Sequence, residues 1–517
     1  MPDQMFCGVP DLIRAQAGQR PAHPALVLDE RSLDYACLDA LMDRVAASLQ
    51  RDGLVPGDVI AISAATSVEY VLVFLGSVRA GVVVAPLAPD LSAQGLAALL
   101  ANAGAKMFFL SQAVARSVAP VAEKITARRI AIDDSDAGSI FSDWLAPPGT
   151  LPMAVTVQPD WPFNIIYSSG TTGTPKGILH SHALRRSNVD LCTTLGFGPD
   201  TVSLITIPLY SNTTLTNVLP TLALGGTVVL MGKFDVAVFL ALSEKHRVTH
   251  TMLVPVQYQR IMAHPDFERF DLSSCRLKFS GGAPFSAGLK ADVLKRWPGG
   301  LVEAYGMSEG GGICLLDARL FADKLHTVGR PAPGHDMRLI DEAGRELGPS
   351  ETGEVVGHSA TMMSGYHNLP AQSAEAQWFD AQGKRYIRSG DIGRFDEDGF
   401  LILVDRKKDM IISGGFNIYP SDLEAVLREH AEVADVAVVG MPSQRWGETP
   451  LAFVVLRPGA ATAAEALLAW ANGQLGKVQR LAAVEIFDSL PRSDVGKVLK
   501  RELREAYQAA GKADAGC

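Results

Sequence analysis

The regular alternation of short apolar runs with helical patterns limits this chain to a small set of folds. From Asp58 to Leu110 the order is strand "DVIAIS", helix "SVEYVLVFLGSVRA", strand "VVVAPL", helix "SAQGLAALLANAG", strand "KMFFL". Runs of Val, Ile and Phe without polar interruption suit strands buried on both faces, and strands separated by helices pair in parallel. The pattern resumes at "TVVLM" from Thr227 and passes through "HTMLVP" at His250 and "RLKFSGG" at Arg276 to "LVEAYG" at Leu301. The intervening stretches predict helices over Val236–Glu244, Gln257–Ala263 and Ala287–Arg296. The fold class is α/β, with two α/β units of similar size filling roughly the first 310 residues.

After Gly329 the pattern changes to short alternating runs punctuated by Gly and Asp, such as "TGEVVGHS" and "RYIRSGDIGRFDEDGFLILV", which predict antiparallel hairpins. A shorter α+β segment follows: helix "SDLEAVLREH", strands "VADVAVVG" and "PLAFVVL", helix "AAEALLAWANGQL", strand "VEIFD" and a charged helix from Val498. The charged stretch Asp405 to Asp409 marks the boundary between a large region, 1–407, and a small one, 408–517. A chain of 517 residues exceeds what one core usually supports.

The 47 basic and 56 acidic residues leave a net charge of -9, without the basic footprint of a nucleic-acid binder or a polybasic lipid patch. The six cysteines lie far apart with no C-x-x-C, so neither a disulfide framework nor a zinc site is expected, and the chain reads as reduced and cytoplasmic. Tyr70 to Pro89 is the most apolar long stretch, but Arg79 and Gly81 interrupt it, so it reads as a helix and a buried strand. The N-terminus lacks the basic start and apolar segment of a signal peptide.

Between two apolar segments lies "YSSGTTGTPKGILHSH", Tyr167 to His182. Hydroxyls and Gly amides at a strand end, followed by one Lys, supply what a polyphosphate requires: many donors at close approach and one point charge. The stretch lacks the G-K-[ST] ending of a Walker A loop. A surface linker would account for Ser, Thr and Gly, but not readily for Pro-Lys-Gly at the edge of a buried strand.

Together with "YGMSEGGG" (Tyr305 to Gly312), "YIRSGDIGRFDEDGFLILVDRKKDMIISGGFNIYPSDLE" (Tyr386 to Glu424) and "LPRSDVGKVLKREL" (Leu490 to Leu503), this loop resembles the adenylate-forming superfamily of acyl-CoA synthetases, adenylation domains and luciferases. The resemblance covers nearly the whole chain, with four motifs in the family's order and spacing. It implies a large N-terminal domain of two stacked α/β subdomains plus a β-barrel-like unit, and a small mobile C-terminal domain. The activity implied is AMP-forming carboxylate–CoA ligation. A carboxylate attacks the α-phosphorus of ATP, pyrophosphate leaves, and coenzyme A then takes the acyl group from the acyl-adenylate. The partners implied are ATP, Mg2+, coenzyme A and a small carboxylic acid, fatty or aromatic, with a homodimer as a compatible assembly.

The same resemblance assigns roles. Ser168, Ser169, Gly170, Thr171, Thr172, Gly173 and Lys176 would cradle the β- and γ-phosphates. Glu309 would ligate magnesium, for which one carboxylate plus substrate phosphates is a usual donor set; a helix-start carboxylate is the plainer alternative. Gly282, Ala283, Pro284, Ala304, Tyr305 and Gly306 would line the adenine and acyl pocket at strand C-termini, where α/β sheets bind ligands. Ser308 stands where the family usually has Thr and keeps the donor beside the α-phosphate. Asp391 would accept from the ribose hydroxyls with Arg406 nearby, although "RSGDIG" is also good turn chemistry. Lys497 would bridge the substrate carboxylate and the α-phosphate; its bland alternative is a solvated Lys beside Lys500 and Arg501. Lys408 falls at the hinge position. Trp446 and Lys477 match coenzyme A contacts, although a core Trp is an equally ordinary reading.

Three departures bear on the substrate. The family's Pro-Leu-aromatic-His is here "PLYSN", with Tyr210 followed by Ser211 at the His position. No Asp follows to pair with an α-ammonium, which disfavours an amino acid. Phe-Lys-x-Pro is replaced by Gly476, Lys477, Val478 and Gln479 near the coenzyme A site. Gly310, Gly311 and Gly312 are expected to open one wall of the acyl pocket, with Tyr210, Tyr258 and Phe285 supplying apolar surface. That environment favours a medium or long acyl chain and is compatible with an aromatic acid. Two alternatives stand beside free coenzyme A ligation: transfer to a separate phosphopantetheine carrier protein, and a non-catalytic nucleotide-binding homologue.

Overall fold

The computed structural model describes residues 6–168, 176–348, 350–413, 416–443, 446–476, 479–493 and 496–509. The chain divides into two units: 1–325 with 331–336 and 357–387, and 326–330 with 337–356 and 388–517.

The first unit contains two mostly parallel sheets. One runs in the order Lys176–Ser181, Pro162–Ser168, Val83–Pro86, Val59–Ser63, Met107–Leu110, Arg128–Ala131. Ile60 sits between Val84 and Met107, so the first strand of the predicted alternation lies at the centre of its sheet. The helices begin and end where the local chemistry places them. Ser67 Oγ accepts from the Tyr70 amide at the start of Val68–Arg79, Ser92 caps Ala93–Ala103, and Gly104 closes that helix in the left-handed region at φ 63°.

The second sheet runs Arg31–Asp34, Pro24–Leu28, Thr227–Leu230, Val202–Ile205, His250–Leu253, Leu277–Gly281, Gly300–Tyr305, Cys314–Asp317. Its centre is parallel and both edges are antiparallel. The alternation predicts the central strands from Thr227 onward. It does not predict the edge: Leu26 pairs with Val228 from two hundred positions away, and a five-residue apolar run carries no signal of so distant a partner.

One core joins these two sheets. Ile60, Ile62, Val84 and Met107 from the first and Leu26, Ile205, Val228 and Leu230 from the second belong to the same buried cluster, together with the helix Val68–Arg79. All of that helix except Glu69 is buried. Its one basic residue, Arg79, which argued against a membrane span, pairs with Asp39 at 2.5 Å and Asp43 at 3.0 Å. No helix among the described residues is long and apolar enough to cross a membrane.

In the second unit, Arg385–Phe395 and Leu401–Arg406 form the predicted antiparallel pair, with Asp391 opposite Arg406. A further sheet runs Phe416–Ile418, Ile411–Ser413, Gly447–Leu456, Val433–Ser443, with Ala483–Ile486 parallel to Gly447–Leu456. The helices Pro420–Arg428, Ala464–Gln474 and Lys500–Ala509 match the predicted order. Leu423, Leu427, Leu467, Val436, Val438, Val454 and Val484 form the core there.

A close helix contact of the shared core sets a test. A Cβ at Gly76 would lie 2.5 Å from Val45 Cβ, on the facing helix Tyr35–Arg51. Replacing a helical Gly by Ala gains up to about 1 kcal/mol of propensity. Here the colliding atom is tied to backbone, so overpacking of about 1–3 kcal/mol wins. Gly76→Ala is expected to lower the thermal unfolding midpoint, and a rise would show that the two helices part freely.

Candidate active site

The polar loop springs from a hairpin. Pro162–Ser168 and Lys176–Ser181 are antiparallel neighbours, and Ser168 pairs with Lys176 at the end where the loop begins. Ser169, Gly170, Thr171, Thr172 and Gly173 lie outside the described residues, as does the side chain of Ser168. A glycine at 177 is required by crowding, because a Cβ there would lie 2.8 Å from Ile165 and 3.0 Å from the Tyr167 ring.

The same sheet gains a short edge strand, Gly365–Tyr366, in which Tyr366 pairs with Ile178. Its side chain meets two of the expected site residues. The Tyr366 hydroxyl donates to Glu309 Oε1 at 2.9 Å, and the Lys176 ammonium lies 4.9 Å from the centre of the Tyr366 ring. Burial, followed by the Glu309 charge, raises the phenol further above its ordinary range, so it remains a donor. The Glu309 carbonyl also accepts from the Met363 amide at 2.9 Å. The sequence singled out Glu309 and Lys176 but not Tyr366, whose only local sign was an aromatic in the Gly-Tyr pair 365–366.

Leu277–Gly281 and Gly300–Tyr305 are parallel neighbours with Gly281 opposite Ala304. Their C-terminal ends therefore deliver Gly282, Ala283 and Pro284 beside Ala304, Tyr305 and Gly306, and lead on to Ser308 and Glu309. Gly282, at φ 82°, turns the chain away from the strand. One strand position earlier, Glu303 is buried and forms an ion pair with Lys290, whose ammonium also donates to the Leu325 carbonyl at 2.8 Å. Burial outweighs that pairing and pushes the Glu303 carboxyl up to about 6.

On the acid side, Tyr210 is half-buried and Ser211 is 9% exposed at the start of the helix Asn212–Ala223. The hydroxyls that follow are partly committed to local structure, since Thr214 Oγ1 donates to the Pro208 carbonyl at 2.8 Å. Two expectations need correction. Tyr258 is fully buried in the core, donates to the Phe279 carbonyl at 2.7 Å and stacks on Phe285, so neither ring offers pocket surface. Gly310 and Gly311 have φ of 76° and 88°, and a Cβ at Gly310 would lie 1.9 Å from the Thr361 carbonyl oxygen. Backbone crowding alone already requires glycine at 310.

In the second unit, Asp391 is 6% exposed and meets Arg406 Nε at 2.5 Å. Lys497 belongs to the same neighbourhood. Surrounding protein, then Arg406 and Lys408, depress its ammonium to about 8, with Asp391 and Asp409 pulling the other way, although the side chain still reaches solvent. The turn that carries it is closed by Arg492, which bridges to Val498, donates to the Gly496 carbonyl at 2.6 Å and pairs with Asp435 at 2.5 Å. Lys408 also reaches solvent; partial burial together with Arg406 and Arg504 lowers it, against Asp409. Trp446 is 47% exposed at the turn between Val433–Ser443 and Gly447–Leu456, which removes the core reading. Lys477 lies outside the described residues.

These placements match known proteins along the chain. Residues 13–367 match the AMP-binding enzyme family and residues 422–497 its C-terminal domain. A feruloyl-CoA synthase of Amycolatopsis sp is 36% identical over 490 residues, covering 92% of this chain and 94% of that protein. An indoleacetate–CoA ligase of Aromatoleum aromaticum is 33% identical over 505 residues, covering 95% of this chain and 97% of its own. The crystal structure of ATP-bound MatB from Rhodopseudomonas palustris superposes with a TM-score of 0.87 at 29% identity, covering 97% of this chain and 99% of that one. With the motif residues at their strand ends and both family regions present, the chain belongs to the adenylate-forming AMP-binding enzymes, as an ATP-dependent, AMP-forming acid–CoA ligase.

Proposed function

We propose that the acid this ligase activates carries an aromatic ring, and that the residues named above divide the two half-reactions between them. The observation that carries the division of roles is the joining of Lys176 and Glu309 through Tyr366. The aromatic reading is supported by relatives whose names specify feruloyl and indoleacetate substrates, and by the half-buried ring of Tyr210 beside Ser211.

In the first half-reaction a carboxylate oxygen bonds to the α-phosphorus as the bond to the pyrophosphate oxygen breaks. Lys176, with the hydroxyls and amides from Ser168 to Gly173, holds the leaving pyrophosphate, and Ser308 donates beside the α-phosphate. Asp391, oriented by Arg406, accepts from the ribose hydroxyls, while Gly282 to Pro284 and Ala304 to Gly306 flank the adenine. Lys497 stabilises the charge that builds between the carboxylate and the α-phosphate. Magnesium fits Glu309, which belongs to no cluster of three or more metal-ligating side chains among the described residues, so substrate phosphates would complete the donor set; when bound with them it supplies charge neutralisation. In the second half-reaction the thiol sulfur of coenzyme A attacks the acyl carbon and AMP leaves. Trp446 and Lys477 are assigned to coenzyme A, and Lys408 to the hinge of a mobile region, 408–517. A cytoplasmic homodimer is the assembly proposed.

Coenzyme A-dependent pyrophosphate release across aromatic, aliphatic and dicarboxylic acids tests this reading. Aryl acids are expected to give the highest kcat/KM. Turnover confined to small polar acids such as acetate would sink the substrate class, and adenylate that accumulates without AMP release on adding coenzyme A would sink the acceptor.

Two residues give sharper tests. The ammonium form of Lys497 is the active one, and it is lost as pH rises through about 8. The kcat/KM for ATP in the adenylation step should therefore fall on the alkaline side near that pH. Lys497→Arg, which stays charged, should remove that limb, and Lys497→Ala should slow adenylation by about two to three powers of ten. Tyr366→Phe keeps the ring beneath Lys176 and removes one hydrogen bond to Glu309, about 1 kcal/mol. Calorimetric titration of ATP at graded Mg2+ should show a roughly fivefold higher magnesium requirement for tight binding. An unchanged requirement would remove Tyr366 from the magnesium site.

A further inference from the structure

Arg185 is a buried cation whose hydrogen-bond partners among the described residues are all neutral. It lies on the helix His182–Thr194, is 1% exposed, and donates from Nε to Asn164 Oδ1 and from Nη2 to both His180 Nδ1 and Asn212 Oδ1, each at 2.9 Å. Burial alone brings its guanidinium down to about 9. A buried charge without a carboxylate partner is costly, and an apolar residue of similar volume would satisfy the packing against Phe163, whose ring centre is 6.0 Å away.

The three acceptors come from three parts of the first unit that the reaction uses. Asn164 is on the strand entering the phosphate loop, His180 is on the strand leaving it, and Asn212 opens the helix directly after Tyr210 and Ser211. A guanidinium has only donors, so His180 Nδ1 must accept and the ring proton resides on Nε2. That nitrogen lies 2.7 Å from the carbonyl oxygen of Ser308, the residue before Glu309. His180 is 1% exposed; burial and the Arg185 charge keep it neutral, with its pKa lowered to about 3.

We infer that Arg185 and His180 are positioning residues for adenylation: Arg185 fixes His180 in the Nε2–H tautomer, and that N–H fixes the carbonyl of Ser308 and with it the turn that carries Glu309. Through Asn212 the same guanidinium anchors the first turn of the helix on the acid side. The inference rests on assigning Ser308 and Glu309 to the adenylation site. Neither residue touches substrate in this role. A neutral ring in one tautomer presents its donor without changing charge as anionic substrates bind.

The test uses two amides of different reach in the full-length enzyme. His180→Gln brings an N–H to the position of Nε2, whereas His180→Asn reaches only that of Nδ1. In ATP–pyrophosphate exchange, His180→Asn should lower kcat about tenfold while the KM values for ATP and acid stay within about twofold, and His180→Gln should retain kcat within about twofold. Melting temperatures of the two variants should agree. Equal losses in both, or losses that follow melting temperature, would overturn the inference. Nitrogen NMR of histidine-labelled wild-type protein, with the His180 signal identified by its disappearance in His180→Gln, should show Nε2 protonated; a protonated Nδ1 would overturn it without any turnover. Arg185→Lys should disturb that signal if the variant folds, and the His180 pair decides the matter if it does not. Wild-type exchange is scored first, so a failure of the adenylation assignment is seen separately from a failure of this one.

Discussion

The candidate site residues of the first unit depend on one packing contact, the helix Val68–Arg79 buried within a core shared by two sheets. Ile60, Ile62, Val84 and Met107 reach it from one sheet, and Leu26, Ile205, Val228 and Leu230 belong to the same cluster from the other. Interiors at crystal-like density do not deform continuously, so this contact fixes the two sheets as one body. The hairpin that leads into the polar Ser- and Gly-rich stretch belongs to the first sheet. The strands that end at Gly281 and Tyr305 belong to the second. The site residues of this unit are therefore held in register by apolar packing that contains none of them.

Charge is handled in two ways. Asp391, Arg406, Lys408, Asp409 and Lys497 influence one another in a partly solvated cluster, where opposite signs coexist and Lys497 is lowered to about 8. Deep in the first unit the arrangement is different. Arg185 and His180 are almost wholly enclosed, and the histidine is kept neutral by its burial and then by the cation beside it. Tyr366 lies between these extremes, with its hydroxyl on a carboxylate and its ring beneath an ammonium.

The acid side shows how the same residue type can serve two ends. Three glycines after Glu309 suggested open space, yet at 310 the backbone conformation and the Thr361 carbonyl already exclude a side chain. Tyr258 and Phe285 suggested pocket surface, yet they stack on each other inside the core. In each case local composition was compatible with a role that the packing assigns elsewhere.

Taken alone, the sequence determined the fold class, the order of strands and helices over Asp58–Leu110 and from Thr227 to Leu301, and the family motifs, because each leaves a local trace: hydrophobic periodicity, Ser caps at 67 and 92, and clustered Gly and hydroxyl residues. Glu309, Asp391, Arg406 and Lys497 stood out as candidates for the same reason, as members of short motifs. Contacts across long separations were decided only by the tertiary structure. Leu26 meets Val228, Tyr366 meets Glu309, and His180 meets the carbonyl of Ser308. A sequence records which side chain stands at each position; which distant group it faces is set by how the two sheets pack, and that depends on the whole core at once.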